Sequence, residues 1–438
     1  MSHTALGPMS TTPVRVTTVG QVKAILVTSL GNLIEWYDVY AYTAFAIYFA
    51  KSFFPSSDPV AEQLSAATLF AVAFLMRPVG SVLFGYLADR FGRQRSLTLS
   101  VIVMCFGSLL VAVTPTYATI GVWAPVILSV ARILQGLSQG GEYGTSVTYL
   151  SEISDPNRRG FYSGVWYVTL IGGQLSAILV LLVLQKLLLT PEQLKDWGWR
   201  IPFAVGALLS LYGFHMRREL GETEKFLNQK PLRQPFMSVA LSHWKPMLLV
   251  VGITVGGTSA FYTYTTYMQK YLKLTVGLSD DQTTMVTAGS LLFAVMLQPL
   301  YGALSDRIGR KPLLVGFGLC GVLGTVPLLS TLRSTHSPGV AFLLICLAWA
   351  IVSGYTSVTA IVKAELFPTA IRAIGVGFPY ALTAAIFGGS VDGIALYFKQ
   401  KGFEEGFFWY ATVLIGFSLV VYLFLPETRR ASRLDQPD

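Results

Sequence analysis

Seven polar side chains lie in otherwise apolar runs of this sequence: Glu35 and Asp38, Arg77, and then Arg132, Gln135, Gln139 and Glu142. Glu35 and Asp38 are three residues apart, so on a helix they share a face. Like charges that close, withdrawn from water, cannot both stay ionised cheaply, and a carboxyl so placed can load and release a proton. Arg77 offers a planar guanidinium that can hold a substrate carboxylate through two bonds. At about 100° per residue, Arg132, Gln135, Gln139 and Glu142 fall within an arc of about 80° and form one polar stripe. Arg132 and Gln135 extend the candidate binding set, and Glu142 is a further proton candidate. Two arginines suit a dianion with two carboxylates. The alternatives are structural: Arg77 or Arg132 neutralising Glu35 or Asp38, and a stripe that only packs two helices. Lower in the chain, Tyr264 and Tyr267 recur at helical spacing and could offer hydroxyls to a carboxylate from a second direction.

Such groups need elements that hold them away from water. The chain has 438 residues, 53% hydrophobic and 13% charged, with a mean hydropathy of +0.56. Average soluble chains carry about 25% charged residues, so an ordinary soluble fold and disorder are both excluded. A bilayer-spanning helix needs roughly 20 residues. Twelve spans are expected, near 23–50, 62–88, 96–114, 121–151, 160–187, 200–217, 246–271, 281–304, 312–332, 339–365, 371–398 and 406–425. The first is read as a retained helix rather than a signal peptide. Arg77 stands 12 residues before Asp89, roughly 18 Å along a helix and so near the bilayer midplane. A charge there costs about 2.5–3.5 kcal/mol on insertion scales unless it is paired or hydrated. Lys363, near the end of its span, is expected to snorkel to the interface. Gly136, Gly140 and Gly144 repeat at small-residue spacing and predict close helix packing. The three cysteines, Cys105, Cys320 and Cys346, lack metal or disulfide spacing.

The sequence repeats. Residues 85–95 read GYLADRFGRQR and residues 302–311 read GALSDRIGRK; Glu152 and Arg159 recur as Glu365 and Arg372. The expectation is an all-α membrane protein: twelve transmembrane helices in two six-helix pseudo-symmetric halves. The boundaries are an N-terminal tail at 1–22, a first half at 23–217, a central loop at 218–245, a second half at 246–425 and a tail at 426–438. With both termini cytoplasmic, 20 of the 32 Lys and Arg fall inside and 9 outside, a positive-inside bias. That bias accounts for the net charge of +9 without a nucleic-acid partner. The partners are then the bilayer, a small organic acid and protons, in a monomer of the plasma (inner) membrane. No cofactor, metal cluster or nucleophile–base set is indicated, so the chain is not read as an enzyme, and scattered charges argue against a channel.

The repeated G-x-x-x-D-R-x-G-R loop resembles the mark of the major facilitator superfamily. GNLIEWYD, FLMRPVG, ARILQGLSQGGEYG, WGWRIPF and FYTYTTYMQKYL together are similar to its metabolite:proton symporters. QGLSQGGEYGTS and YVTLIGGQLSA are similar to those members that carry α-ketoglutarate (2-oxoglutarate). The resemblance implies alternating access and proton-coupled uptake of a dicarboxylate. Citrate, shikimate or a zwitterion such as proline or betaine are the alternative substrates. It also implies gating by the loop residues Gly85, Asp89, Arg90, Gly92 and Arg93 and by Asp306, Arg307, Gly309 and Arg310. Their carboxylates would bond an arginine or a helix amide end in one transport state and release it in the other. By the same resemblance, the absence of a proline motif in the fifth span favours symport over export.

Overall fold

A computed structural model describes residues 18–56, 59–218 and 236–434. The chain is helical, and its long helices follow the apolar runs. They are α1 (Thr18–Phe53), α2 (Pro59–Phe91), α3 (Arg93–Val113), α4 (Trp123–Ile153), α5 (Arg159–Leu188), α6 (Ile201–Arg218), α7 (Trp244–Val276), α8 (Asp280–Ile308), α9 (Lys311–Ser334), α10 (Pro338–Glu365), α11 (Thr369–Gln400) and α12 (Glu405–Phe424). Among the described residues, nine segments are long and apolar enough to cross a membrane. α1 and α4, which carry Glu35, Asp38 and the polar stripe, are not among the nine. Their polar positions are covered by protein instead of lipid, as backbone and side-chain polarity in a bilayer require.

Helix packing obeys the duplication. In the first half α1 packs on α5 and α6, α2 on α4, and α3 on α4 and α6. In the second half each contact recurs six helices later: α7 on α11 and α12, α8 on α10, and α9 on α10 and α12. The contacts between halves come in matched pairs too, α5 with α8 and α10, α11 with α2 and α4. A polar interior therefore lies where α1, α2, α4 and α5 face α7, α8, α10 and α11.

Local sequence sets the joints. Gly92 and Gly309 occupy the same place in the two repeated loops, at φ 109° and 101°, a region only glycine enters without strain. Ser279 and Gln282 form a capping box that starts α8. α7 is widened by π-turns at Thr263–Tyr267 and Leu272–Val276, and α11 by one at Ala384–Gly388. Pro78 stands inside α2 directly after Arg77, where a missing N–H bends the helix. A Cβ on Gly140 would lie 1.9 Å from the carbonyl oxygen of Arg77. The glycine thus lets α4 touch the backbone of α2 at the level of that arginine; Gly136 does the same at Ala73 of α2, and Gly144 meets the backbone of α11 at Ala373 and Gly377.

Candidate functional site

At the centre of the molecule a cavity is lined by Asn32, Glu35 and Trp36 of α1, Arg77 of α2, Gln139, Gly140 and Tyr143 of α4, and Tyr380 and Ala381 of α11. Its volume is about 10 Å3, roughly what one water molecule needs. The two halves are drawn together over it. Arg77 is buried. Its Nε and Nη2 both donate to Gln139 Oε1, at 3.1 and 2.8 Å, and its Nη1 donates to Tyr262 OH of the second half at 3.1 Å. The guanidinium lies 3.6 Å from the Phe74 ring centroid and 5.2 Å from that of Trp36. Stacking of this kind fixes the plane of the fork, and its edge, held here by Gln139 and Tyr262, is the edge an anion would take in their place. Glu35 shares the cavity with it.

Asp38 belongs to a second cluster inside the first half. Its Oδ1 accepts from Ser108 Oγ at 2.7 Å, and its Oδ2 accepts from Gln135 Nε2. Gln135 Oε1 in turn accepts from Arg132 Nη1 at 2.7 Å, and the Arg132 guanidinium sits 4.0 Å over Tyr42. Arg132 and Gln135 therefore do not line the cavity that holds Arg77. They share the α4 stripe with Gln139, but Arg132 is seven residues, about 10 Å, further along the axis. The two arginines of the expected dianion clamp are thereby separated. Glu142 accepts from Ser146 Oγ at 2.9 Å and Ser100 Oγ at 3.1 Å.

The tyrosines of α7 divide differently from the sequence expectation. Tyr264 lines a separate apolar cavity with Phe317, Thr325 and Ile415 inside the second half. Tyr267 donates to Glu404 at 3.5 Å. Tyr262, about 200° round the helix from Tyr264, is the residue that reaches Arg77. Tyr143 was missed although it stands one turn from Gln139 on the same stripe, and Tyr380 had no signal in its own neighbourhood. Lys363 corrects an expectation outright. It does not snorkel: it is fully buried, donates to Tyr143 OH at 3.1 Å, and lies 4.3 Å from the ring centroid of Tyr380, with Tyr143 and Tyr355 at 5.2 and 5.8 Å. Tyr143 and Tyr380 stack at 3.4 Å between centroids.

One end of the bundle carries the repeated loops. Asp306 accepts from the backbone N–H groups of Gly160 and Phe161, at 2.9 and 2.8 Å, and so caps the start of α5 in the other half. Arg310 donates to Asp306 at 2.9 Å and lies 3.7 Å from Glu365. Arg372 and Glu152 pair across the halves at 3.0 Å, both fully buried. Gly309 leaves room for Glu427, whose carboxylate takes the N–H groups of Arg310 and Lys311. Of the first copy, Gly85 abuts Ile374 of α11, Asp89 is buried and Arg90 lies against Tyr86. The side chain of Arg93 is outside the described ones, and the Arg307 carbonyl accepts from Arg429. At the opposite end Lys186 of α5 and Asp281 of α8 pair at 2.7 Å, both more than half exposed.

The sequence matches the sugar (and other) transporter family over residues 24–231 and 233–433. It is 46% identical over 414 residues to the alpha-ketoglutarate permease of Escherichia coli (strain K12), covering 94% of this chain and 96% of that one. It is 34% identical over 391 residues to a citrate-proton symporter of Klebsiella pneumoniae, covering 87% and 86%. A proline/betaine transporter of Salmonella typhimurium is 32% identical over 386 residues, covering 84% and 75%. Among solved structures, the proton:xylose symporter XylE superimposes with a TM-score of 0.76 at 19% identity, over 95% of this chain and 98% of that one.

Proposed function

The chain belongs to the sugar (and other) transporter family of the major facilitator superfamily, and from that premise we propose that it takes up 2-oxoglutarate together with protons by alternating access. The observation that carries the reading is Arg77. It is a buried guanidinium at the midplane cavity, held from one half by Gln139 and from the other by Tyr262. A substrate carboxylate that takes the Arg77 fork replaces these bonds and so loosens one half from the other. The choice of acid is supported by 46% identity to an alpha-ketoglutarate permease over nearly the whole chain.

Residues 23–217 and 246–425 act as the two moving bodies. The loop-bearing end is cytoplasmic, by the excess of Lys and Arg there. In the conformation described it is shut by Asp306 on the α5 amides and by the Arg372–Glu152 pair. Protons are the coupling ion. A dianion moving against a negative-inside potential needs compensating charge, about 2.3 kcal/mol per charge per 100 mV. Asp38 and Glu35 carry it: protonation of Asp38 weakens its hold on Gln135 and Ser108, and Glu35 senses substrate in the Arg77 cavity. The working unit is a monomer in the plasma membrane with both termini inside.

The test is uptake of labelled 2-oxoglutarate by proteoliposomes with and without an inward proton gradient. Gradient-stimulated uptake, abolished in Arg77→Ala and collapsed by a protonophore, supports the reading. Uptake indifferent to both overturns it.

A further inference from the structure

Lys363 is a lysine at full burial in the interface between the halves, and among the described residues no carboxylate pairs with it. Its hydrogen-bond partner is the Tyr143 hydroxyl, and its remaining surroundings are the faces of Tyr380, Tyr143 and Tyr355. Aromatic faces attract an ammonium but leave its other N–H donors without an acceptor. A charge in that condition persists where function uses it. The two rings that shield Lys363, Tyr143 and Tyr380, also line the cavity that holds Arg77. The stacked pair thus stands between Arg77 of the first half and Lys363 of the second.

We propose that Lys363 is the anchor for the second carboxylate of the transported dianion, reached when the Tyr143–Tyr380 stack parts. The assignment rests on the dicarboxylate reading above and supplies the second cation that Arg132, walled off behind Gln135 and Asp38, does not. The present cavity admits about one water, so a substrate must displace part of its lining. Two ring side chains can swing about their χ angles without breaking helix hydrogen bonds, which makes the stack the movable wall. A dianion that spans Arg77 and Lys363 would tie α2 of one half to α10 of the other. A buried ammonium would also repel the positive end of a zwitterion, so Lys363 selects for diacids by exclusion as well as by attraction.

The experiment compares 2-oxoglutarate with 2-oxopentanoate, the same skeleton with the distal carboxylate replaced by methyl, as competitors for binding to the purified, intact carrier. A charge-assisted bond to a buried group predicts that the wild type prefers the diacid by about 10- to 100-fold. In Lys363→Met the preference falls to within about threefold while affinity for 2-oxopentanoate is kept, and Lys363→Arg restores it. Lys363→Gln reads the same ratio if the methionine variant does not fold. A preserved ratio in Lys363→Met or Lys363→Gln overturns the proposal, and so does an equal loss for both acids, which marks a structural pin. A folded wild type that binds neither acid overturns the 2-oxoglutarate reading and removes this assignment with it. Wild-type preference for the diacid without any Lys363 dependence fells this assignment alone.

Discussion

Asp306→Ala should open the loop-bearing end. In the closed form the Asp306 carboxylate takes two backbone N–H groups at the start of α5, from Gly160 at 2.9 Å and Phe161 at 2.8 Å. Both cross from one half to the other. The third partner, Arg310, lies in the same half as Asp306 and is also held by the Ser305 carbonyl at 2.8 Å, so its bonds do not distinguish closed from open. Each carboxylate–amide bond is charge-assisted and worth roughly 1.5–3 kcal/mol. Alanine leaves two helix-start amides unsatisfied in the closed form, whereas water serves them in the open one. Losing two bonds at the low end shifts the balance by about 3 kcal/mol, near 100-fold. Ser151 provides the reporter. It is buried and lines a small interface cavity with Ser154, Arg159 and Ser163 of its own half and Ala360 and Ile361 of the other. With Cys105, Cys320 and Cys346 changed to serine, Ser151→Cys should react with a permeant maleimide slowly in the parent and about 100-fold faster with Asp306→Ala. Asp306→Asn keeps one acceptor oxygen and should fall between. A labelling rate within threefold of the parent, in a protein that still melts cooperatively, would refute the argument that these two bonds hold the end shut.

Other expectations follow from the same geometry. Asp38→Asn can still accept from Ser108 but carries no titrating proton; it should retain exchange of internal for external 2-oxoglutarate and lose gradient-driven accumulation, read in paired vesicle assays. Gly140→Ala drives a methyl to 1.9 Å from the Arg77 carbonyl oxygen, an overpacking that costs about 1–3 kcal/mol. Its melting temperature in detergent should fall, whereas Gly316→Ala, with open space around its Cβ, should leave it unmoved. Lys186→Ala breaks an exposed ion pair with Asp281 worth at most about 1 kcal/mol; uptake rates should stay within about twofold.

Hydropathy and the repeated loop determined most of this architecture. Apolar runs of spanning length can only be helices in a bilayer, and a motif repeated about 217 residues on forces the second half to pack as the first does. The matched contacts of α2 with α4 and α8 with α10 are that consequence. Charge placement also told which residues must be sheltered: Glu35, Asp38, Arg77 and Arg132 are all buried. Periodicity ordered residues around one helix, and it correctly put Arg132, Gln135, Gln139 and Glu142 on a common stripe. It carried no information on how one helix is turned relative to the next. Spacing points to Tyr264 and Tyr267, whereas Tyr262 is the tyrosine that meets Arg77 and Phe74, a rotation of α7 that only tertiary packing sets. Depth along one helix follows from residue spacing, but the register of one helix against the next does not, so the sequence leaves Arg132 and Arg77 as a possible clamp where the Asp38–Gln135–Arg132 network separates them. Lys363 shows the same limit most plainly. A lysine near a helix end can snorkel when its face meets lipid or water, and whether it does depends on what the other half places there. Three tyrosines from α4, α10 and α11 close over it, an arrangement assembled from residues up to 237 positions apart in the chain and decided by tertiary packing alone.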